Sequence, residues 1–134
     1  MDQVFPEIYV GTELDASDEQ LLRKHGVDIV VSLTHSNPDT GNVTRLDVPM
    51  IDGPQNDSEV FAEAVSKVIE HRESGRTILT HCSAGASRSP SVAATAISNL
   101  TGKDLNEAFN QVIERRPETD PHDALVRQAV KLED

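Results

Sequence analysis

The sequence predicts an α/β fold in which helices flank a central, mostly parallel sheet of about four to five strands. Three observations lead to this fold class. Short apolar segments of strand type alternate along the chain with segments of helical spacing. A length of 134 residues suits one compact domain with a hydrophobic core of its own. No repeat, low-complexity tract or linker divides the chain, so we expect a single domain over residues 1–134.

The first half of the chain contains three predicted strands and two predicted helices. Ser17 with Gln20, and Asn56 with Glu59, have the spacing of residues that open a helix. The stretch 34–42 is polar and carries a proline and a glycine, which favours a loop. We expect strands at 8–10, 28–33 and 43–48, and helices from Ser17 to Gly26 and from Asn56 to Gly75.

The second half continues the alternation with one strand and three helices. Pro90 falls in the first turn of its predicted helix, where a missing N–H is harmless. Asp104 and Glu107 are the capping residues of the next helix, which Pro117 interrupts. We expect the strand at 77–80 and the helices at 88–100, from Asp104 to Pro117, and from about 121 to 132.

The charge of the chain excludes several classes of partner. A formal net charge of −11 disfavours nucleic acid and anionic membrane surfaces, which need a basic footprint. No stretch of about 18 apolar residues indicates a transmembrane helix, and residues 1–6 do not resemble a signal peptide. We therefore expect a cytoplasmic monomer. An acidic surface poor in lysine also suits a high-salt cytoplasm, so a halophilic source is a hypothesis.

Cys82 is the single cysteine of the chain. Disulfides within the chain are therefore impossible, and a zinc cluster built on cysteines is disfavoured. Four histidines show no metal-ligand spacing: His25, His35, His71 and His122. We therefore predict no metal site and no cofactor. A lone cysteine is either a small buried apolar residue or a reactive thiol, and its neighbours decide between the two.

The segment from His81 to Pro90 favours the reactive thiol. The five residues between Cys82 and Arg88 are all small, so the loop can wrap tightly with its main-chain N–H groups turned to an anion. Gly85 supplies a backbone shape that other residues resist. The following helix directs its positive end at the same point, which favours a thiolate nucleophile at Cys82. The guanidinium of Arg88 suits two phosphate oxygens.

This pattern of His-Cys, five residues and Arg-Ser resembles the signature of the cysteine-based protein phosphatases, and among them the small dual-specificity phosphatases. Further segments resemble the family: Ile8–Gly11 its opening strand, Val48–Asp52 the segment carrying its general acid, and Arg116-Pro117 a late Arg-Pro pair. One segment departs from the pattern, because Pro121-His122-Asp123 stands where the family often has an asparagine. The resemblance implies a phosphatase acting on phosphorylated proteins, at phosphotyrosine, phosphoserine or phosphothreonine, through a phosphocysteine.

The resemblance also implies roles for the loop residues. Cys82 attacks phosphorus, and Ser89 donates a hydrogen bond to its sulfur and helps it to leave. His81 orients the loop and supports the thiolate through hydrogen bonds. The phosphate oxygens are held by the Arg88 side chain and by the main-chain N–H groups of Ser83, Ala84, Gly85, Ala86, Ser87 and Arg88.

The leaving oxygen needs a proton, and two aspartates compete for this role. Asp52 lies 30 residues before Cys82, similar to the family arrangement, and precedes a Gly-Pro pair in a loop. Asp57 also lies near that loop. We favour Asp52 as general acid and base, because the segment around Asp57 carries the residues that open a helix.

Other functions remain open alternatives. A phosphate-loop module that binds without turnover would not need a candidate acid. Sulfur transfer and arsenate reduction are further alternatives, but the Arg88-Ser89 ending of the loop favours phosphate ester chemistry over both. Lipid-phosphatase relatives carry basic residues in the loop, where this chain has Ala84 and Ala86. A phosphatase acting on a small phosphate ester is the remaining alternative. We interpret Arg115-Arg116 as a helix end that complements the helix dipole.

Overall fold

A computed structural model describes residues 1–132. It has a five-stranded sheet flanked by helices, and the predicted fold class is confirmed. The predicted domain extends to residues 133 and 134, which lie outside the described residues. The strands are β1 (Asp2–Phe5), β2 (Ile8–Gly11), β3 (Ile29–Ser32), β4 (Thr44–Asp47) and β5 (Ile78–His81). The helices are α1 (Glu13–Ala16), α2 (Glu19–Lys24), α3 (Ser58–Glu73), α4 (Arg88–Thr101), α5 (Leu105–Arg115) and α6 (Asp123–Lys131).

The strands follow the order β1-β2-β5-β3-β4. Four of them run parallel, and β1 pairs antiparallel with β2 at one edge. The register aligns the carboxyl ends of the parallel strands, because His81 pairs with both Gly11 and Ser32, and Ser32 pairs with Asp47. Ligands of such sheets bind beyond the carboxyl ends of the strands, so His81 marks the centre of the functional edge.

Helix α4 is the central helix of the domain. Every residue from Ser89 to Ser98 is buried, including three alanines of zero exposure. Alanines on this helix let it lie close to the sheet, where it packs on β2 and β5 and against α3, α5 and α6. The helix therefore starts at a fixed place over the central strand, immediately after the loop that follows Cys82.

Most predicted elements are confirmed, but two starts are wrong. Ser17 does not open a helix; it ends α1, and its hydroxyl donates to the Glu13 carbonyl at 3.0 Å. A capping box of Thr12 and Asp15 opens α1, and Asp18 caps α2. Neither β1 nor α1 was predicted, because segments of four residues are too short to show a period.

The start of α3 is the second correction. Asp57, not Asn56, is the N-cap, and its carboxylate accepts the N–H of Glu59 at 3.1 Å. The Asn56 side chain serves the preceding loop instead. Among residues 1–132, none of the helices is both long enough and apolar enough to cross a membrane.

Candidate active site

Cys82 follows the last residue of the central strand β5 and is 2% exposed. Its sulfur lies 3.2 Å from the hydroxyl of Ser89 and accepts the Ser89 main-chain N–H at 3.4 Å. Both groups belong to the first turn of α4. The thiol therefore lies against the positive end of the central helix, where a negative sulfur is stabilised.

The first turn of α4 is open to an anion. In the part of the chain that the structure describes, no side chain caps this helix, and its N-cap residue is Ser87, the last residue of the loop. Helix N-termini without a cap leave main-chain N–H groups that bind phosphate well. The other long helices differ here, because Asp57, Asp104 and His122 cap α3, α5 and α6 with their side chains.

The loop turns its carbonyl groups outwards. The carbonyls of four consecutive residues, 83 to 86, accept hydrogen bonds from other segments of the domain. The donors are the Glu13 N–H to Ser83, Arg116 to Ala84 and Gly85, and the Asp120 N–H to Ala86. In a trans peptide the N–H points opposite to the carbonyl, so the N–H groups of residues 84 to 87 face the inside of the loop. The loop is therefore a ring of donors.

Arg116 is the side chain that holds the loop from behind. It is 4% exposed, and its Nε and Nη2 donate to the Gly85 and Ala84 carbonyls at 2.7 and 3.3 Å. Its Nη1 donates to the Asp2 carboxylate at 2.7 Å. Our interpretation of Arg115-Arg116 as a helix end is therefore incomplete, since Arg116 leaves the helix at its C-cap and binds the loop. The resemblance of Arg116-Pro117 to the late Arg-Pro pair of the family was the feature of the sequence that pointed to Arg116.

Gly85 has φ +65°, a left-handed conformation that side chains disfavour. An added Cβ would lie 2.6 Å from Nη2 of Arg116 and 2.7 Å from the Gly11 carbonyl oxygen. The loop, the Arg116 guanidinium and the end of β2 thus meet at a point that only glycine fits.

His81 is fully buried beneath the loop. Its Nδ1 lies 3.2 Å from the Cys82 carbonyl and its Nε2 2.8 Å from the Ser32 hydroxyl. A carbonyl only accepts, so Nδ1 carries the proton, and Nε2 of the neutral ring accepts from Ser32. Burial lowers the pKa of His81 below the ordinary value of 6.5, although its hydrogen bond to the Cys82 carbonyl opposes that shift. The neutral ring therefore fixes the main chain at Cys82.

Arg88 begins α4, and its Nη1 donates to the Met50 carbonyl at 3.0 Å. This contact orients the guanidinium, and within the described residues its other N–H groups stay available for a ligand. It also brings the segment that follows β4 against the phosphate loop.

Asp52 lies two residues after Met50 and is exposed. Its Oδ1 accepts the Ser87 hydroxyl at 2.5 Å, so the predicted acid does reach the loop. The Asn56 amide closes the acid segment by pairing with both the N–H and the carbonyl of Ile51, at 2.6 and 2.7 Å. Asp57, the rival acid, is engaged in capping α3.

The structure therefore brings all the predicted site residues to one edge of the sheet. Cys82 and Ser89 are in contact, and His81 lies beneath them. Two contacts join the loop to the acid segment: Arg88 binds the Met50 carbonyl, and Ser87 binds the Asp52 carboxylate. Sequence reasoning missed the support given to the loop by Arg116, Asp2 and Asp120, because these contacts depend on distant parts of the chain.

Comparison with known proteins identifies the family of this site. The model of the family "Dual specificity phosphatase, catalytic domain" matches residues 8–134. The chain belongs to this family. The crystal structure of human DUSP28 shares its fold with a TM-score of 0.89 and 26% identity, covering 99% of this chain and 95% of that chain.

Two relatives show how far the dual specificity phosphatase match extends. Human dual specificity protein phosphatase 22 is 31% identical over 135 residues, covering 99% of this chain and 73% of that protein. Dual specificity protein phosphatase Mpk3 of Drosophila melanogaster is 28% identical over 131 residues, covering 94% of this chain and 32% of that protein. The chain thus spans about a third of the length of some curated relatives it matches.

Gly85→Ala tests the fit of the phosphatase loop. We expect weaker binding of inorganic phosphate by calorimetry and a loss of at least about 1–2 kcal/mol of unfolding free energy, from the positive φ and the collision with the Gly11 carbonyl. Gly102→Ala is the matched control, because Gly102 also has positive φ but its added Cβ meets nothing within 4 Å. It should lose stability and keep phosphate binding; equal phosphate binding by both variants would contradict the fit.

The buried His81 predicts a pH dependence of stability. Below pH 6.5 the unfolded chain takes up a proton at this histidine, whereas the folded protein does so only at lower pH because its pKa is lowered. The unfolding free energy should therefore decrease as pH falls from 6.5 to 5.5, by at most about 1.4 kcal/mol per pH unit from this group. Urea unfolding of His81→Gln should show a flatter decrease. The exposed His35→Gln should match the wild type, and a wild-type slope in His81→Gln would refute the assignment.

Proposed function

We propose that this domain is a protein phosphatase that hydrolyses phosphate monoesters of tyrosine, serine or threonine through a phosphocysteine. One observation carries the proposal: the Cys82 sulfur accepts from the uncapped first turn of α4, inside a loop in which the carbonyls of residues 83 to 86 bind other segments of the domain. Membership in the dual specificity phosphatase family supports the same reaction.

In the first step, the Cys82 sulfur attacks phosphorus and forms the S–P bond as the ester P–O bond breaks. Arg88 and the inward N–H groups of the loop bind the phosphate oxygens and stabilise their charge in the transition state. Asp52 gives its proton to the leaving oxygen, which departs as an alcohol or phenol. The sulfur carries the phosphoryl group at the end of this step.

In the second step, a water molecule attacks the phosphocysteine. Asp52, now ionised, takes the proton from this water, and the S–P bond breaks to give inorganic phosphate. The Ser89 hydroxyl, 3.2 Å from the sulfur, donates a hydrogen bond to the departing thiolate. The enzyme returns to its starting protonation state, and no metal ion takes part in either step.

The surface charge supports phosphorylated proteins as substrates, with neither nucleic acid nor a membrane as partner. A net charge of −11 repels polyanions beyond the single phosphate that the loop accommodates. We also infer a cytoplasmic monomer. In the described part of the chain, the exposed large apolar side chains are scattered over four segments, as is normal for a monomer: Leu14, Ile51, Ile113 and Val130.

Cys82→Ser tests the covalent step. Hydrolysis of p-nitrophenyl phosphate should fall to background, because an alcohol at this position is not ionised at neutral pH. Binding of inorganic phosphate, measured by calorimetry, should persist, since the loop N–H groups and Arg88 are unchanged. Turnover retained by this variant would exclude a phosphocysteine.

Asp52→Asn tests the general acid. Hydrolysis of a phosphoserine peptide, whose leaving group needs a proton, should slow by about 10²–10⁴-fold, while p-nitrophenyl phosphate should be affected much less. Asp57→Asn is the matched control, because asparagine caps a helix as well as aspartate does. An equal loss for both substrates, or the same substrate dependence in Asp57→Asn, would move the acid role away from Asp52.

A further inference from the structure

The hydroxyl of Ser87 makes two contacts that phosphate binding does not require. Its Oγ accepts the main-chain N–H of His122 at 2.8 Å and donates to Oδ1 of Asp52 at 2.5 Å. The direction of both contacts follows from the first, because a main-chain N–H only donates and the hydroxyl proton is then left for the carboxylate. Ser87 is 8% exposed, so its hydroxyl is held in place.

We propose that Ser87 is a positioning residue that orients Asp52 for proton transfer, in addition to the binding role of its main-chain N–H. The inference rests on the proposed function, in which Asp52 is the general acid. With Oδ1 held by Ser87, Oδ2 carries the proton to the leaving oxygen and later receives one from water. Ser87 acts through Asp52, and its hydroxyl does not touch the substrate.

Among the described residues, the other contacts that hold the acid segment do not reach the Asp52 side chain. Arg88 binds the Met50 carbonyl, and Asn56 binds the main chain of Ile51 and Gly53. These contacts fix where the segment runs, but they leave the carboxylate free to rotate. The Ser87 hydroxyl supplies this orientation. Orientation increases the rate of proton transfer because the acid must point at one oxygen, that of the leaving group.

Ser87 is itself fixed by the segment before α6. The Asp120 N–H donates to the Ala86 carbonyl at 2.6 Å, and the His122 N–H reaches the Ser87 hydroxyl. Nδ1 of His122 accepts the N–H of Ala124, so the segment is anchored to the helix. This support comes from main-chain N–H groups, so it does not depend on an asparagine side chain in the Pro121-His122-Asp123 segment.

Ser87→Ala separates positioning from loop structure. We expect kcat on a phosphoserine peptide to fall by up to about 10-fold, the size of one lost hydrogen bond, and KM to change little because the main-chain N–H of residue 87 remains. p-Nitrophenyl phosphate releases p-nitrophenolate, which leaves without a proton, so kcat on this substrate should fall by a clearly smaller factor than on the peptide. Ser87→Thr, which keeps a hydroxyl, should recover the phosphoserine activity. Ser87→Gly provides a second variant without the hydroxyl if the alanine variant does not fold.

Two further variants make the experiment decisive. Ser91→Ala removes a buried hydroxyl that donates to the Ser87 carbonyl at 2.7 Å, so it is the matched control for disturbance of the helix start. It should show no dependence on the leaving group. In the double variant with Asp52→Asn, Ser87→Ala should cause no further loss, because its effect passes through the Asp52 carboxyl.

The outcomes distinguish this inference from the proposed function. If Asp52→Asn depends on the leaving group but the Ser87 variants slow both substrates equally, or add fully to Asp52→Asn, the positioning role is wrong and the phosphatase mechanism stands. If Asp52→Asn itself lacks that dependence, the acid assignment and the positioning role are both wrong. Retained turnover in Cys82→Ser would overturn the proposed mechanism itself.

Discussion

The site depends on the outward attachment of four consecutive carbonyl groups in the loop after Cys82. Small residues allow a loop to close, but they do not determine which way its peptides face. The outer partners do this. The Arg116 side chain, the N–H at the start of α1 and the N–H of Asp120 donate to the loop carbonyls from outside and so hold them away from the centre. The N–H groups must then face inwards, where they form an anion site before any ligand arrives.

These partners come from widely separated parts of the chain. Arg116 directly follows α5, and Asp2 begins β1. The buried guanidinium of Arg116 binds both the loop and the Asp2 carboxylate. A buried cation is stable only with its hydrogen bonds satisfied, and here two carbonyls and a carboxylate satisfy them. The geometry of seven contiguous residues is thus a property of the whole domain, and the edge strand β1 contributes to the site although it lies away from the chemistry.

The predictable features were those contained in contiguous residues. The strand, loop and helix around Cys82 could be predicted because periodicity, small residues and an arginine at fixed spacing lie within one segment. The role of Asn56 could not be predicted. Its spacing to Glu59 indicated a residue that opens a helix, but its amide pairs with both the N–H and the carbonyl of Ile51. A carboxylate at that position could not donate to the Ile51 carbonyl, which explains why an asparagine holds the loop. The support by Arg116 needed the tertiary structure.

The last two residues of the loop motif each face in two directions. Arg88 offers N–H groups to an anion while its Nη1 binds the Met50 carbonyl, and Ser87 turns its main-chain N–H inwards while its hydroxyl binds Asp52. Anion binding and proton transfer need groups from different strands, because the loop follows β5 and the acid segment follows β4. Two adjacent residues join these segments directly, so the distance between the acid and the bound phosphate does not depend on the long connections between the strands.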